Sequence, residues 1–514
     1  MTAETHRSDA RANQPATTSD RPPDRRAHGA GSAAGADDPW RSALLAGIAL
    51  RDPGETAPDR LRWPGYAPRT GLRWGAGTIL GHPAVAAVWN FGVFGGSFGE
   101  AEATGLAEAA AAAAAARVPL VTFLRSGGTR LQEGVAGLVG LPRATLALGR
   151  LARAGQPHIA VVDHPTTGGA WVTIGCRADL RVALDGATVG FAGPRVVEAM
   201  TGLQIPPGSH TARTAFEAGL VDAVTGPTGV AGWLEAALAS LAPRASADDG
   251  REPRAPGNQP PDGRSHRDVP HRGGWEQVLA ARSAPRPAPR SLLAELVRGG
   301  VELHEADGSV AARTGRLAGH AGAPDRPVVG VALAAERDGR PSPAGYRLLT
   351  RAAELADRLG LPLITLVDTP GAEPGPDAEA SGIAPAIGEA MGAVLGCRSP
   401  TVAVLVGEGG SGGALAATCA DLVLVGPDGY LTALSPEGTA VTLRISPRQA
   451  ADHAGLRPAD LIALGLADAV TPDPTDPAFG SMIATALERL ETDDQAVRLA
   501  AREVKWSTPL TGRL

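Results

Sequence analysis

Cysteine is scarce in this chain, and what there is of it is scattered. The 514 residues hold three cysteines, Cys176, Cys397 and Cys419, none of them in a C-x-x-C pair. Neither a disulfide framework nor a structural zinc site is indicated, and a reducing cytoplasm is the expected compartment. Lysine is almost absent while alanine, glycine, arginine and proline dominate, a bias of the coding genome and not a sign of function. A formal net charge of -6 and the lack of any compact Lys/Arg block remove nucleic acid from the expected partners. The first 38 residues carry no apolar stretch of the kind a signal peptide needs and read as a disordered tail. The alanine block at 109–116, bounded by Glu108 and Arg117, is too short and too weakly apolar to span a bilayer, so no membrane partner is expected. No G-K-[ST] follows any glycine turn, which excludes a P-loop.

What is present alternates. Short β-branched runs alternate with Ala/Leu/Glu-rich segments, as in "AVAAVWNF", "EAEATGLAEAAAAAAAAR" and "VPLVTFL", the pattern of an α/β layer fold. A polar, proline-rich stretch at 242–274 reads as a linker between a domain over 39–241 and a second over 275–514. The two halves repeat one another. "RVPLVTFLRSGG", "IAVVDHPTTGGAW" and "LRVALDGATVGFAGPRVVE" are answered by "GLPLITLVDTPGA", "VAVLVGEGGSGGAL" and "LVLVGPDGYLTALSPEGTA". Gly127 and Gly168 stand 41 residues apart, as do Gly371 and Gly412, so a fused duplication is expected.

The run "VGEGGSGGAL", 406–415, has five glycines in ten residues. Gly407, Gly409 and Gly412 fit the dinucleotide spacing, with Asp428 21 residues beyond Gly407. The helix that such a site requires has room only for "GALAATCA" before the next strand, and the matching "TTGGAW" of the first half lacks the spacing. Tight packing of a short helix on a sheet would explain one such turn. Two matched pairs point instead to backbone amides converging on a developing oxyanion, which needs no side chain.

These residues resemble a known family. "FGVFGGSFGEAEATGL", "TFLRSGGTRLQEG", "DHPTTGGAW" and "VGFAGPRVVE" resemble the carboxyltransferase β subunit of bacterial acetyl-CoA carboxylase. From "WEQVLAAR" onward, "PAGYR", "DTPGAEPG", "GEGGSGGAL" and "SPEG" resemble its α subunit, and together the match covers roughly residues 40 to 475. The resemblance implies two crotonase-like ββα spiral domains in tandem. It implies transfer of CO2 from carboxybiotin, on a separate carrier protein, to the α-carbon of an acyl-CoA, with acetyl-CoA giving malonyl-CoA. Biotin carboxylase and the biotin carboxyl carrier protein are then partners, because the chain has no "MKM" attachment site and no ATP-grasp region. In family terms Gly168 and Gly169, backed by Gly127 and Gly128, hold the thioester enolate. Gly412 and Gly413, backed by Gly371 and Ala372, hold the biotin ureido oxygen. The loops Phe191, Gly193, Pro194, Arg195 and Ser435, Pro436, Glu437, Gly438 are the implied cleft walls, with Arg195 a candidate for a CoA phosphate beside its plainer reading as a surface arginine. Relatives imply a site between halves of different protomers, hence a homodimer or larger assembly.

Four departures from the family stand out. The four-cysteine zinc ribbon is missing, Glu373 replaces the tyrosine usual after "DTPGA", His164 replaces an acidic residue, and the basic segment before "PAGYR" is shortened to "ERDGRPS". Malonyl-thioester decarboxylation, which needs only an enolate hole, and a catalytically silent carboxylase scaffold are the competing readings.

With no clustered Cys/His ligands, carboxyl transfer from preformed carboxybiotin is expected to survive EDTA while the partner's ATP-dependent step fails. Assaying the two steps separately checks this, and loss of transfer on chelation would refute it.

Overall fold

The computed structural model describes residues 38–241 and 272–510, apart from 54–57, 65, 68, 203, 207, 320–323 and 509. The tail and linker read from the sequence therefore lie outside the described residues except at their edges, where Asp38 pairs with Arg41 and Arg125 and Gly274 opens the helix Gly274–Ser283. The described residues form one compact unit.

The first half is built on a sheet of eight strands: β1 (Gly47–Ile48), β2 (Leu72–Ile79), β3 (His82–Trp89), β4 (Leu120–Ser126), β5 (His158–Thr167), β6 (Leu180–Leu184), β7 (Val189–Gly190) and β8 (Ala223–Thr225). Their order is β1-β2-β3-β4-β5-β6-β8, with β7 pairing the end of β5. β1, β2 and β3 pair antiparallel, and every later neighbour is parallel. The second half repeats this with β9 (Val297–Arg298), β10 (Glu302–Leu303), β11 (Ala311–Leu317), β12 (Arg326–Leu333), β13 (Leu363–Thr369), β14 (Thr401–Gly409), β15 (Leu422–Val425) and β16 (Ala469–Val470), in the order β10-β11-β12-β13-β14-β15-β16. The α/β class and the tandem ββα duplication expected from the sequence are what the chain forms.

The inner strands are apolar on both faces because helices cover both. All nine residues of β14 are buried. The helix Glu100–Ala116 starts where Glu102 reaches back to the Gly99 amide at 3.0 Å and stops at left-handed Arg117. Its counterpart Pro343–Leu359 is capped by Ser342, which accepts from Gly345 N at 3.1 Å, and stops at left-handed Gly360.

Strand pairing sets the register of the duplication. β4 and β5 run in register from Leu120–His158 to Leu124–Val162, then slip so that Ser126 faces Thr166. β13 and β14 slip in the same place, from Val367–Leu405 to Thr369–Gly409. Ser126 and Thr369, like Thr166 and Gly409, are 243 positions apart. Gly128 is thus the equivalent of Gly371, Gly127 of Pro370, Gly169 of Gly412 and Gly168 of Ser411. The 41-residue glycine spacing suggested a register one residue off, because it aligned glycine with glycine and not ladder with ladder.

The halves share one hydrophobic core. Leu141, Trp171 and Val172 of the first half cluster with Ala372, Ile387 and Met391 of the second. Helix Gly140–Arg153 lies on helix Ile383–Gly396, where Thr145 Oγ1 donates to Met391 Sδ at 3.6 Å. The 23-residue stretch Leu131–Arg153 holds an 18-residue window of mean hydropathy 1.2, enough by length and composition for a membrane span, but 78% of that window is buried in this core. The last helix, Gln495–Ser507, returns from the second half to the first. It is anchored where Asp421 takes Arg498 at 3.2 Å and Arg502 Nε at 2.7 Å, and also accepts from the amide and hydroxyl of Thr401.

Replacing Asp421 leaves two buried guanidinium groups without their anion, so Asp421→Ala is expected to lose about 3–5 kcal/mol of stability. Denaturant unfolding measures it; a loss under about 1 kcal/mol would mean that the cluster does not hold the last helix.

Candidate active site

The slip in each parallel ladder throws the end of the strand out of the sheet and exposes a turn. In the first half Ser126 Oγ accepts from Gly128 N at 3.2 Å, Gly127 N donates to Gly95 O at 2.9 Å, and Arg130 N donates to Phe98 O at 2.8 Å. In the second, Thr369 Oγ1 accepts from Gly371 N at 3.1 Å and donates to Gly339 O at 2.7 Å, while Glu373 N donates to Pro341 O at 3.0 Å. The amides between, of Thr129 and its equivalent Ala372, make no hydrogen bond among the described residues. The neighbouring strand ends add more free donors. Helices Gly168–Thr173 and Ser411–Thr418 begin with left-handed residues, Gly168 at φ 65° and Ser411 at φ 64°. Amides of a first helical turn have no acceptor within the helix. Ser411 N donates to Thr432 O at 2.7 Å, which leaves those of Gly412 and Gly413. Bare backbone is required where the turns meet: a Cβ on Gly168 would lie 2.9 Å from Gly128 Cα, and one on Gly413 would lie 3.0 Å from Ala372 N.

The two turns face a common cavity of about 380 Å³, which opens between the halves. Leu141 stands between them, in contact with the space above Gly169 on one side and 3.1 Å from a Cβ position on Gly412 on the other. Phe91, Phe94, Leu131, Val172, Phe191 and Leu434 make most of the wall apolar, which keeps the local dielectric low and strengthens any amide-to-oxyanion bond. Among the described residues lining it there is one charged side chain, Arg340, and no Asp, Glu, His, Cys, Lys or Tyr.

Two carboxylates hold the edges, Glu133 buried and Glu379 largely so. Glu379, from the second half, accepts from Ala192 N at 3.1 Å and faces His210 Nε2 at 3.7 Å, which ties the 191–193 wall across the halves. Burial raises its pKa to about 7, against the bonds from the Phe191 and Ala192 amides, and burial lowers that of His210. Glu133, also raised by burial to about 7, accepts from Tyr66 Oη at 3.0 Å and Glu100 N at 2.8 Å beside fully buried Arg130.

A family model for the acetyl co-enzyme A carboxylase carboxyltransferase-like domain matches residues 271–498. The acetyl-coenzyme A carboxylase carboxyl transferase subunits beta/alpha protein of Salinispora tropica is 40% identical over 424 residues, 79% of this chain and 73% of that protein. The protein of the same name from Parafrankia sp. is 36% identical over 471 residues, 84% and 76% of the two chains. A probable biotin-dependent acyl-coenzyme A carboxylase beta3 subunit of Mycobacterium tuberculosis is 33% identical over 411 residues, 79% and 81%.

The chain belongs to this carboxyltransferase family.

Of the residues the sequence singled out, Gly127, Gly128, Gly168, Gly169, Gly371, Ala372 and Gly412 line the cavity, while Gly413 lies behind them against Tyr346 and Ala372. The amides of Gly127, Gly128 and Gly371 are already used, so these residues frame the turns and the unspent donors are one step further on, at Thr129 and Ala372. Phe191, Gly193 and Ser435 reach the cavity. Pro194, Pro436, Glu437 and Gly438 do not: Pro194 and Pro436 start helices, Glu437 is held by Arg282 at 2.7 Å, and Gly438 N donates to Ser435 Oγ at 3.1 Å. Arg195 is exposed and makes no wall contact. His164 and Glu373 are exposed and lie outside the lining, and His164 Nδ1 accepts from Thr188 N at 3.1 Å. Both turns come from one chain, so a site shared between protomers, expected from relatives, is not needed to bring them together. Sequence reading missed Thr129, Leu141, Glu379 and Arg340; the one available signal was the position of Arg340 in the shortened basic segment.

Because burial lifts the Glu379 pKa from 4.5 to about 7, its contribution to stability is intact below pH 4.5 and is lost as the pH rises through about 7. Glu379→Gln should flatten this fall and gain on the order of 3 kcal/mol over wild type at pH 8 relative to pH 4.5. Chemical unfolding across pH 4.5–8 reads it; parallel curves for the two proteins would show that Glu379 does not titrate there.

Proposed function

We propose that this chain is the carboxyltransferase component of a biotin-dependent acyl-CoA carboxylase, with acetyl-CoA as substrate and malonyl-CoA as product. One observation carries the reading: two equivalent sets of unspent amides face one small apolar cavity whose lining, among the described residues, offers no side-chain base of the Asp, Glu, His, Cys, Lys or Tyr kind. Carboxybiotin, brought by a carrier protein that biotin carboxylase has charged, supplies the CO2 and, once this is released, a base for the α-proton. The residues present fit that group, because Ala372 and Gly412 offer amide donors and no internal acceptor competes for them. Thr129 and Gly169 hold the thioester oxygen as negative charge develops on it, and Ala372 with Gly412 hold the ureido oxygen. Leu141, Phe94 and Phe191 exclude water from both. A cavity of about 380 Å³ accommodates the two reacting ends and leaves the CoA nucleotide outside. Decarboxylation of a malonyl thioester needs one amide set, so the presence of two favours transfer. A homo-oligomeric assembly and a cytoplasmic setting accord with this role.

Val at Gly412 puts a branched side chain against Leu141 and across the amide approach. Gly412→Val is expected to lower carboxyl transfer about 10²- to 10³-fold while leaving the slow, acceptor-free decarboxylation of malonyl-CoA intact; Gly169→Val should lose both. Labelled-carboxyl assays on variants with native circular dichroism test this. Wild-type transfer by Gly412→Val would leave these glycines a packing role only.

A further inference from the structure

The two halves differ at one decisive place. The matched bonds from Arg130 N to Phe98 O and from Glu373 N to Pro341 O put Arg340 in the position that Ser97 holds in the first half, and both line the cavity. Ser97 is committed, since its hydroxyl accepts from Arg130 Nε at 3.1 Å and its carbonyl from Arg130 Nη2 at 2.7 Å. Arg340 is not. Its Nη1 is buried and has no hydrogen-bond partner, and its guanidinium takes part in no ion pair among the described residues. It stands 4.0 Å from a Cβ position on Gly371, beside the second turn. The Glu408 carboxylate acts on it from nearby, but that carboxylate is already held by Arg282 Nε at 3.1 Å and by Tyr430 Oη.

The placement of Arg340 is not left to a mobile loop. Thr369 Oγ1, which caps the Gly371 amide, also donates to Gly339 O at 2.7 Å, and Glu373 N donates to Pro341 O at 3.0 Å. The residues on either side of Arg340 are thus clamped by the turn that carries the free Ala372 amide. Arg340 is half-buried, and a cation that loses hydration without gaining a partner is held at a cost. A structure that holds one rigidly at a cavity wall stabilises an anion that arrives from outside.

We infer that Arg340 receives the transferable carboxylate, as the carboxyl group of carboxybiotin before transfer and as that of the carboxylated thioester after it, and so decides which amide set takes the anionic partner. The inference rests on the proposed carboxyl transfer. It assigns the neutral thioester to the first half, where the equivalent side chain is a spent serine, and the carboxylate-bearing group to the second. Because the charge sits on the transferred group's side only, the same residue should separate malonyl-CoA from acetyl-CoA in simple binding.

The test uses the full-length protein, with Arg340→Gln and Arg340→Lys. Equilibrium binding of malonyl-CoA and of acetyl-CoA is measured by calorimetry, and carboxyl exchange from malonyl-CoA to free biotin is followed with labelled malonyl-CoA. Arg340→Gln should weaken malonyl-CoA binding 10- to 100-fold with acetyl-CoA affinity unchanged within twofold, and Arg340→Lys should recover part of the difference. Equal losses for both ligands, or none for malonyl-CoA, would overturn the assignment. If wild-type protein discriminated the two ligands through Arg340 yet exchanged no carboxyl group, the transferase reading would fail and the carboxylate site would stand. Normal exchange with no discrimination would do the reverse. Thermal unfolding of both variants guards against misfolding: loss of the malonyl-CoA preference in Arg340→Gln counts only with a native transition.

Discussion

A parallel β-ladder consumes the amides of the strands that form it, and the candidate site of this molecule depends on breaking that ladder twice in the same place. Where β4 slips on β5 and β13 on β14, two extra residues of the longer strand enter the turn, and the sheet can no longer supply acceptors for every N–H. The chain then spends most of the released groups locally: Ser126 and Thr369 take the amides of Gly128 and Gly371, and Gly95 O takes that of Gly127. What remains unspent, at Thr129 and Ala372 and at the adjoining helix starts, is a small set of fixed donors in a dry cavity. Unpaired backbone amides are costly in a protein interior, so their survival in both halves marks positions where something else is to be held.

Around this frame the two halves have diverged in charge. In the first, Arg130 is fully buried between Glu102 and Glu133 and uses its remaining nitrogens on Ser97 and Arg69 O, so the turn rests on a satisfied ionic network. In the second, Arg286 and Asp368 form the buried pair, crossing above Gly407, and Glu408 is shared by Arg282 and Tyr430. Arg340 is left over. Duplication supplies two equivalent pockets of donors, and a single difference in side-chain commitment makes one neutral and the other cationic.

The halves act together because they are packed as one body. Val172 O lies against Gly388, Thr145 against Met391, and Glu379 reaches from the second half to the amides of 191 and 192 on the cavity wall. The helix Gln495–Ser507, pinned by Asp421, crosses back onto Gly140–Arg153, the helix that carries Leu141. The distance between the two amide sets is therefore governed by core packing, which tolerates little rearrangement.

The amino-acid sequence by itself determined the α/β class, the duplication and the position of the glycine turns, because periodicity, strand composition and glycine clusters are local properties. It also separated this molecule from nucleotide-binding folds, since the eight residues "GALAATCA", 413–420, are too few for the required helix. Tertiary structure alone decided the register of the repeat, shifted by one from the glycine spacing, because register is set by which strand residues pair and not by which are identical. It alone showed which amides are spent, since the acceptors for Gly127 and Ser411 lie 32 residues before and 21 residues after them in the chain. The same holds for side chains. Glu437 and Arg340 are both charged residues in motif-bearing loops, yet one is neutralised by Arg282 and the other is not, and that depends on partners brought together only when the sheets fold.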